Sequence, residues 1–164
     1  MSWRVGVGYD AHRFAPGRRL VLGGVAIDWP QGLAGHSDAD VVAHALIDAL
    51  LGAAHLGDIG ALFPDDDPAY AGADSLVLLT TVARRLAAVG WQVVNADIVV
   101  VLQAPRLAPY RERMEARLAD ALGVAGDRMS VKATTTEGMG FEGRGEGIAA
   151  TATCLLVAGQ AHAD

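Results

Sequence analysis

One stretch of helical periodicity, from Ser37 to about Ala54, constrains the fold more than any other part of the sequence. At about 100° per residue, Asp40, His44 and Asp48 fall on one side of such a helix. The opposite side is a continuous apolar stripe that consists of Val42, Ala45, Leu46, Ala49, Leu50 and Ala53. Apolar residues also border the polar stripe, so that side is not simply solvated. The pattern predicts a helix buried on two sides, with a subunit interface or the floor of a pocket along its polar stripe.

Apolar runs and turn residues predict the elements around this helix. Strands are predicted at 5–9, in a hairpin at 20–27, at 93–102 in the centre of a sheet, at 129–136 and at 148–157. Further helices are predicted at 73–89 and 109–122, and loops at 32–35, 58–70 and 138–147. Ser37 and Asp40 match a capping box, which predicts Ser37 as the N-cap of the first helix.

The order of these elements predicts an α+β fold. We expect a single domain over residues 1–164 in which helices pack on one face of a mixed β-sheet. The residues from about 159 to 164 are expected to be a frayed tail.

Composition and charge exclude several classes of protein. The 164 residues carry a net charge of −6 with a pI near 5.2, which argues against a nucleic-acid partner or an anionic membrane surface. No apolar run reaches the ~18–20 residues of a membrane span, and the N-terminus lacks a signal-peptide pattern, so we expect a cytoplasmic protein with no membrane partner. The single cysteine, Cys154, excludes an internal disulfide and a cysteine-rich metal site. Alanine and glycine make up 51 of the 164 residues, and a core of such small residues favours extra burial by oligomerisation.

Asp10, His12 and His44 are the candidate metal ligands. Residues two apart in an extended segment point the same way, so Asp10 and His12 can face one ion. With His44 they would form a three-ligand zinc site whose fourth position stays open, as in catalytic zinc sites. The alternative is that Asp40 caps the helix and His44 merely pairs with it. An Asp-x-His spacing is common by chance, so spacing alone leaves both interpretations open.

A glycine-rich segment from Gly138 to Gly147 follows Lys132 and the run Thr134–Glu137. Backbone amides of glycine-rich turns, threonine hydroxyls and nearby basic side chains suit phosphate oxygens. Glu137 offers hard oxygen ligands for a Mg²⁺ ion that bridges phosphates. The sequence contains no P-loop and no GxGxxG pattern. A plain glycine-rich hairpin between two strands explains the same residues equally well.

Three further loops are candidates for ligand recognition. Gly57–Gly60 and Asp65–Asp67 are acidic, so they are either solvated loops or carboxylates that bind the hydroxyl groups of a substrate. Gln103–Pro109 follows an apolar strand, and a rigid loop at a strand end could read a base through its main chain.

Separated motifs in a fixed order give the chain a resemblance to the 2-C-methyl-D-erythritol 2,4-cyclodiphosphate synthase family. The match runs from about Arg4 to Val157. Its motifs are Gly8–His12, His36–Leu46, Leu56–Asp65, Gln103–Pro105, Lys132–Glu137 and Gly143–Gly147. Arg106 stands where the family often has lysine, and Gly138 where it often has a basic residue. Neither departure touches a metal ligand.

The resemblance implies a homotrimer that uses two metal ions. Asp10, His12 and His44 would be the zinc ligands, and Glu137 would hold a second divalent ion, Mg²⁺ or Mn²⁺, between phosphates. Members of the family are homotrimers with active sites at subunit interfaces, which agrees with a first helix buried on two sides.

The resemblance also implies contacts with a substrate. His36 and Thr135 would stabilise the transition state. Segment 63–67 would close over a methylerythritol group, segment 102–108 would bind a cytidine, and segment 134–137 would hold a diphosphate. The implied substrate-binding residues are Ser37, Asp58, Ile59, Gly60, Phe63, Pro64, Asp65, Asp66, Asp67, Leu102, Gln103, Ala104, Pro105, Arg106, Leu107, Ala108, Thr134, Thr136, Phe141 and Arg144.

The implied reaction converts 4-diphosphocytidyl-2-C-methyl-D-erythritol 2-phosphate to the 2,4-cyclodiphosphate with release of CMP. Two other hypotheses remain. A zinc-dependent phosphohydrolase would use the same ligands and give a linear product. A non-catalytic trimer would bind a small anion or a prenyl diphosphate on an axis lined by Arg144 and Glu146, and such axial binding could also regulate an enzyme.

Overall fold

A five-stranded mixed sheet organises the structure, a computed structural model that describes residues 1–159. The strands in chain order are β1 (Trp3–Ala15), β2 (Leu20–Leu22), β3 (Val25–Ile27), β4 (Gly32–Leu33), β5 (Trp91–Val101), β6 (Met129–Thr134) and β7 (Gly147–Ala158). The order across the sheet is β4-β1-β7-β5-β6, and β2 and β3 form a separate hairpin. Strands β5 and β6 pair in parallel, whereas the other neighbours are antiparallel.

Helices cover one face of this sheet, as predicted. They are α1 (Val41–Ala54), α2 (Ile59–Leu62), α3 (Ser75–Ala88), α4 (Arg111–Leu122) and α5 (Gly140–Gly143), with short 3₁₀ turns at Pro68–Tyr70 and Gly126–Arg128. Helix α1 packs on β1 and β7, α3 packs on α1 and β5, and α4 packs on α3 and β6. The other face carries Val5, Val7 and Tyr9 from β1, each more than half exposed. None of the helices within residues 1–159 is long and apolar enough to cross a membrane.

Helix α1 lies very close to the sheet because β1 has glycines at the points of contact. A Cβ at Gly6 would lie 1.9 Å from O of Ala49, and a Cβ at Gly8 would lie 2.0 Å from O of Ala45. All of α1 is buried except one stripe that consists of His44, Asp48 and Gly52. The predicted apolar stripe is therefore buried, and the polar stripe is the open side of α1, where His44 and Asp48 line a cavity as predicted for a pocket floor.

The start of α1 differs from the prediction. Asp40, and not Ser37, is the N-cap: its carboxylate accepts hydrogen bonds from the amides of Val42 and Ala43, both at 3.1 Å. Ala39 has a φ of 56°, a left-handed conformation that a helix starting at Ser37 could not contain. Ser37 and Asp40 are both residue types that favour the N-cap position, so the sequence alone could not distinguish them. The left-handed backbone of Ala39 excludes Ser37.

Asp40 also joins the β2–β3 hairpin to α1. Its fully buried carboxylate accepts from the amide of Gly23 at 2.9 Å and from the amide of Gly24 at 2.7 Å. Burial and the nearby Asp38 carboxylate raise the pKa of Asp40 to about 6, although the amides that donate to it favour the ionised form. One side chain thus fixes both the hairpin turn and the first turn of the helix.

Several predicted strand boundaries are corrected. Strand β1 has 13 residues rather than five, and it pairs with β7 from Trp3↔Val157 to Arg13↔Gly147. The predicted loop at 32–35 contains β4, which pairs with the end of β1. Strand β5 lies between two neighbours, but the middle strand of the sheet is β7.

Short helices occupy two of the predicted loops. Segment 58–70 contains α2 and a 3₁₀ turn, and segment 138–147 contains α5. Each has only three or four residues, which is too short to show periodicity in a sequence. At the tail, the amide of Gly159 donates to O of Gly90 at 2.7 Å, so that residue is not frayed, and residues 160–164 lie outside the described part of the chain.

Gly8→Ala tests the close contact between α1 and β1. The added Cβ would collide with O of Ala45, so we expect the free energy of unfolding to fall by about 3 kcal/mol or more, the upper end of overpacking costs. Gly52→Ala is the matched control, because no atom lies within 4 Å of a Cβ added there, and it should stabilise α1 by roughly 0.5–1 kcal/mol. Urea unfolding followed by circular dichroism measures both changes. A Gly8→Ala midpoint equal to that of the wild type would contradict the tight contact.

Candidate metal centre

The three predicted zinc ligands meet in one cavity of about 190 Å³. Asp10 and His12 extend from β1 on the side that faces α1, and His44 extends from α1. Each of the three side chains is partly buried. The predicted alternative, in which Asp40 caps the helix and His44 merely pairs with it, is half right: Asp40 is the cap, but His44 faces Asp10 and His12.

The ligand atoms have the spacing of groups that share one ion. Oδ2 of Asp10 lies 2.8 Å from Nε2 of His12 and 3.2 Å from Nδ1 of His44, and the two ring nitrogens lie 3.3 Å apart. Tetrahedral zinc with bonds of about 2.0–2.2 Å separates its ligands by roughly 3.3–3.6 Å.

The hydrogen bonding of Asp10 also fits a metal ion. Its Oδ2 is buried and has no hydrogen bond of good geometry within residues 1–159, despite the two close ring nitrogens. These three atoms are poorly placed to hydrogen-bond with one another, but they converge in the way that the ligands of one metal ion do. Two imidazoles and one carboxylate suit zinc.

Charges in the cavity favour an ionised carboxylate. Burial opposes ionisation of Asp10, but the adjacent imidazoles of His12 and His44 outweigh it and hold the pKa of that carboxyl far below its usual range. Burial also disfavours a charged His44, yet Asp10, Asp40 and Asp38 together raise the pKa of its imidazole. A metal ion binds the neutral imidazole and displaces the proton that these carboxylates attract.

His36 and Ser37 lie on the loop beside the ligands, and both line the cavity. Nε2 of His36 is 3.1 Å from O of Asp67, which links this loop to segment 63–67. Oγ of Ser37 is 3.1 Å from Nε2 of His44. The two loops therefore form one rim over the metal ligands.

Helix α2 and the residues after it form a wall of the same cavity. Four predicted residues of this segment line it: Ile59, Gly60, Phe63 and Asp65. Asp58 caps α2, and its carboxylate accepts from the amide of Ala61 at 2.8 Å. Pro64, Asp66 and Asp67 do not line the cavity in this conformation.

The segment predicted to bind a cytidine lies around a second cavity of about 260 Å³. Eight predicted residues line it: Leu102, Gln103, Pro105, Arg106, Leu107, Ala108, Thr134 and Thr135. The amide of Leu102 donates to O of Thr134 at 3.0 Å, and the amide of Gly138 donates to Oε1 of Gln103 at 3.3 Å. Within one chain the two cavities share no lining residue, so the predicted site residues fall into two groups.

The remaining predicted residues lie near the second group. Ala104 and Arg144 line a smaller cavity beside Gln103, and Arg144 pairs with Glu146 at 2.9 Å on an exposed turn. Phe141 is half-buried on α5. The axial anion site suggested for Arg144 and Glu146 stays a prediction.

Glu137, the predicted ligand of a second ion, is exposed and does not belong to the three-ligand cluster. Its φ is 54°, and its amide donates to Oγ1 of Thr135 at 3.3 Å. Oγ1 of Thr136 donates to O of Met139 and closes the same turn. Segment 134–137 is therefore an ordered turn that presents the carboxylate of Glu137 outward.

Other residues around the metal cavity went unassigned at the sequence level. Asp48 lines the cavity and accepts from the amide of Ile59 at 2.8 Å, and its place on the polar stripe of α1 was the available signal. Burial and nearby carboxylates raise the pKa of Asp48. Arg18 donates to O of Gly35 at 2.8 Å and to O of Ser37 at 2.5 Å, so it binds the loop on both sides of His36. No periodicity or motif marks that arginine.

These features define a class: an α+β protein with a candidate divalent-metal centre of one carboxylate and two histidines. The sequence pattern of the YgbB family matches residues 3–157. The chain therefore belongs to the YgbB family, and the resemblance inferred from its motifs is confirmed.

Individual relatives agree with this assignment. The chain is 59% identical over 160 residues to the 2-C-methyl-D-erythritol 2,4-cyclodiphosphate synthase of Moorella thermoacetica, which covers 98% of each chain. It is 60% identical over 156 residues to the protein of the same name from Thiobacillus denitrificans, with 95% of this chain and 98% of the relative covered. The solved CDP complex of IspF from Plasmodium falciparum has a TM-score of 0.85 at 30% identity, covering 97% of this chain and 98% of that one.

His44→Ala tests the metal centre. After dialysis against zinc, the wild-type chain should retain zinc when measured by atomic absorption. His44→Ala should lose it, because a carboxylate and one imidazole are too few ligands for a stable zinc site. His55→Asn is the control, since His55 is exposed and ends α1 in a left-handed conformation that asparagine tolerates. Equal zinc content in the wild type and His44→Ala would exclude the assignment.

Proposed function

We propose that the chain converts 4-diphosphocytidyl-2-C-methyl-D-erythritol 2-phosphate to 2-C-methyl-D-erythritol 2,4-cyclodiphosphate with release of CMP. This is a lyase reaction of the non-mevalonate isoprenoid pathway. The observation that carries the proposal is the cluster of Asp10, His12 and His44, found in a chain that is 59–60% identical to synthases of that name along nearly their whole length.

The reaction closes a ring within one substrate molecule. An oxygen of the 2-phosphate attacks the β-phosphorus in line and forms a new P–O bond. The bond from the β-phosphorus to the oxygen that bridges to the α-phosphorus breaks, and CMP leaves with that oxygen. The substrate supplies the nucleophile, so the protein has to orient the two phosphates and exclude water, which would give a linear product.

The metal centre supports the proposal because the reacting groups are anions. Zn²⁺ on Asp10, His12 and His44, with Mg²⁺ or Mn²⁺ on Glu137, would neutralise the phosphates and stabilise developing charge. His36 lies on the rim of the metal cavity, where its ring would donate to a phosphate oxygen in place of O of Asp67. The hydroxyl of Thr135 would do the same from the second cavity.

The two cavities suit the two ends of the substrate. The metal cavity, lined by Ile59, Gly60 and Asp65, offers an amide and a carboxylate for the hydroxyls of the methylerythritol group. The cavity around Leu102–Ala108 would take the cytidine, with Arg106 directed to the diphosphate. A solved relative from Plasmodium falciparum is a CDP complex, which supports a nucleotide subsite.

A homotrimer would join these two groups of residues. The face of the sheet that no helix covers presents a row of apolar side chains on β1, with Val5 and Val7 both 65% exposed. Exposed apolar surface of this kind usually marks an interface. We propose that copies of the chain pack through this face, so that the metal cavity of one subunit meets the cytidine cavity of the next.

Phosphorus NMR of the purified chain with the CDP-linked substrate and Mg²⁺ tests the reaction. We expect the cyclic diphosphate and CMP from the zinc-loaded wild type and from the control His55→Asn. His44→Ala and zinc-stripped protein should give less than about 1% of that rate, since loss of a metal removes several kcal/mol of charge stabilisation. Linear, water-derived products would support the phosphohydrolase hypothesis instead. No turnover by zinc-loaded, folded wild type would leave a binding protein.

Val7→Lys tests the assembly. A lysine in the middle of the open face would place charge in the proposed interface, so we expect the mass measured by light scattering to fall from that of a trimer to that of a monomer, with loss of turnover. Val77→Lys is the matched control, because Val77 is 61% exposed on α3, away from that face. A Val7→Lys protein of unchanged mass would show that this face is not the interface.

A further inference from the structure

His44 makes contacts through both nitrogens of its ring. Nδ1 lies 3.2 Å from Oδ2 of Asp10, on the side of the metal ligands. On the other side, Nε2 lies 2.9 Å from Oγ of Ser75 and 3.1 Å from Oγ of Ser37. A neutral histidine that binds a metal through Nδ1 carries its proton on Nε2. It therefore needs a hydrogen-bond acceptor at Nε2, and two hydroxyl groups are within reach.

In its hydrogen bond with His44, Ser75 can act only as the acceptor. It is the first residue of α3 and is completely buried. Its hydroxyl donates to Oδ1 of Asp38, so its proton is already used and its oxygen has lone pairs left for Nε2 of His44. The direction of this hydrogen bond is thus fixed, with His44 as the donor.

Ser37 has no such restriction. Its oxygen accepts from the amide of Ala39 at 3.2 Å, and within residues 1–159 its own proton has no acceptor other than the ring of His44. It can therefore donate to Nε2 of His44, which would favour the wrong tautomer, or donate to a ligand in the cavity. Ser75 is the residue that decides between these outcomes.

Asp38 holds Ser75 in this role. Its Oδ1 also accepts from the amide of Asp40 at 3.1 Å, and its Oδ2 accepts from the amide of Ser75 at 3.0 Å. Three hydrogen-bond donors surround this carboxylate, so it acts only as an acceptor. The same bonds attach the N-terminus of α3 to the loop before α1, so the hydroxyl of Ser75 is fixed relative to His44.

We propose that Ser75 and Asp38 are positioning residues of the metal centre. The relay from His44 through Ser75 to Asp38 keeps the proton on Nε2 of His44 and directs the lone pair of Nδ1 at the metal ion. The relay also leaves the hydroxyl of Ser37 free for the substrate. The inference rests on the proposed zinc site of Asp10, His12 and His44. Such outer hydrogen bonds are typically worth roughly 10–100-fold in metal affinity.

Ser75→Ala tests the relay because it removes one oxygen and keeps the backbone bond to Asp38. Thr81→Val is the matched control: it removes a hydroxyl from the same helix, one that donates to O of Val77 at 3.0 Å, away from the metal centre. Zinc affinity is measured by competition with a chromophoric chelator. We expect Ser75→Ala to bind zinc roughly 10–100-fold more weakly than the wild type, and Thr81→Val to bind it equally well. Melting of the zinc-free proteins checks that all of them are folded.

A second measurement needs no variant. In zinc-loaded wild type with ¹⁵N-labelled histidine, the Nε2 proton of His44 should give a sharp NMR signal that exchanges slowly with water, because it is buried and hydrogen-bonded. A fast-exchanging proton, or Ser75→Ala with wild-type zinc affinity, would overturn the relay while leaving the zinc site intact. Failure of the wild type to bind zinc would overturn the zinc site and the relay together.

Discussion

The contact between α1 and β1 sets the distances from His44 to Asp10 and His12 in the candidate metal centre. Glycine at positions 6 and 8 lets the carbonyl oxygens of α1 approach the strand to within 2.0 Å of where a Cβ would stand. Asp10 lies two residues beyond Gly8 on the same side of β1, and His44 directly precedes Ala45, whose carbonyl touches Gly8. A side chain at position 8 would push the helix outward, and Nδ1 of His44 would leave the 3.2 Å separation from Oδ2 of Asp10. The small residues of this chain are thus a condition for its chemistry as well as for its packing.

Carboxylates that accept hydrogen bonds from backbone amides fix the relative positions of several elements of this fold. Aromatic residues make up 5% of the sequence, so bulky packing can fix few of the relative positions of the elements. Asp40 joins the hairpin to α1, Asp38 joins α3 to the preceding loop, Asp48 joins α1 to α2, and Glu115 joins α4 to the edge strand β6 through the amide of Val131. Each is a charge-assisted bond from a backbone amide, stronger and more directional than an apolar contact. One of these four carboxylates, Asp48, lines the metal cavity, and Asp38 is connected to His44 through the hydroxyl of Ser75.

The sequence predicted the parts of the structure that depend on local pattern. Helical spacing with a closing glycine located α3 and α4 to within two residues. The Asp-x-His motif and the polar stripe of α1 gave Asp10, His12 and His44 as candidate metal ligands, and these three do cluster in the structure. The predictions from sequence were wrong or missing where a tertiary interaction decides the structure. Ser37 and Asp40 are equally good caps by type, and a left-handed Ala39 chooses between them. Arg18 and Ser75 carry no local signal, because their roles arise from loops and helices that meet only in the folded chain. The division of the site into two cavities is equally invisible, since it depends on how far apart the ends of β1 and β5 lie in the sheet.

Charge explains why the proposed site would need metal ions. The chain carries a net charge of −6, and Asp10, Asp48 and Asp65 line the metal cavity, so a substrate with three phosphates would meet repulsion from the metal-free protein. The arginines that favour phosphate, Arg106 and Arg111, lie in the other cavity. Cations bound near the metal cavity would be the largest local charges there and would make the cavity attract phosphate groups rather than repel them. One of these carboxylates, Asp10, is itself a candidate metal ligand. An acidic protein could therefore act on a polyphosphate if metal ions bound at this cluster offset the negative charge of the cavity.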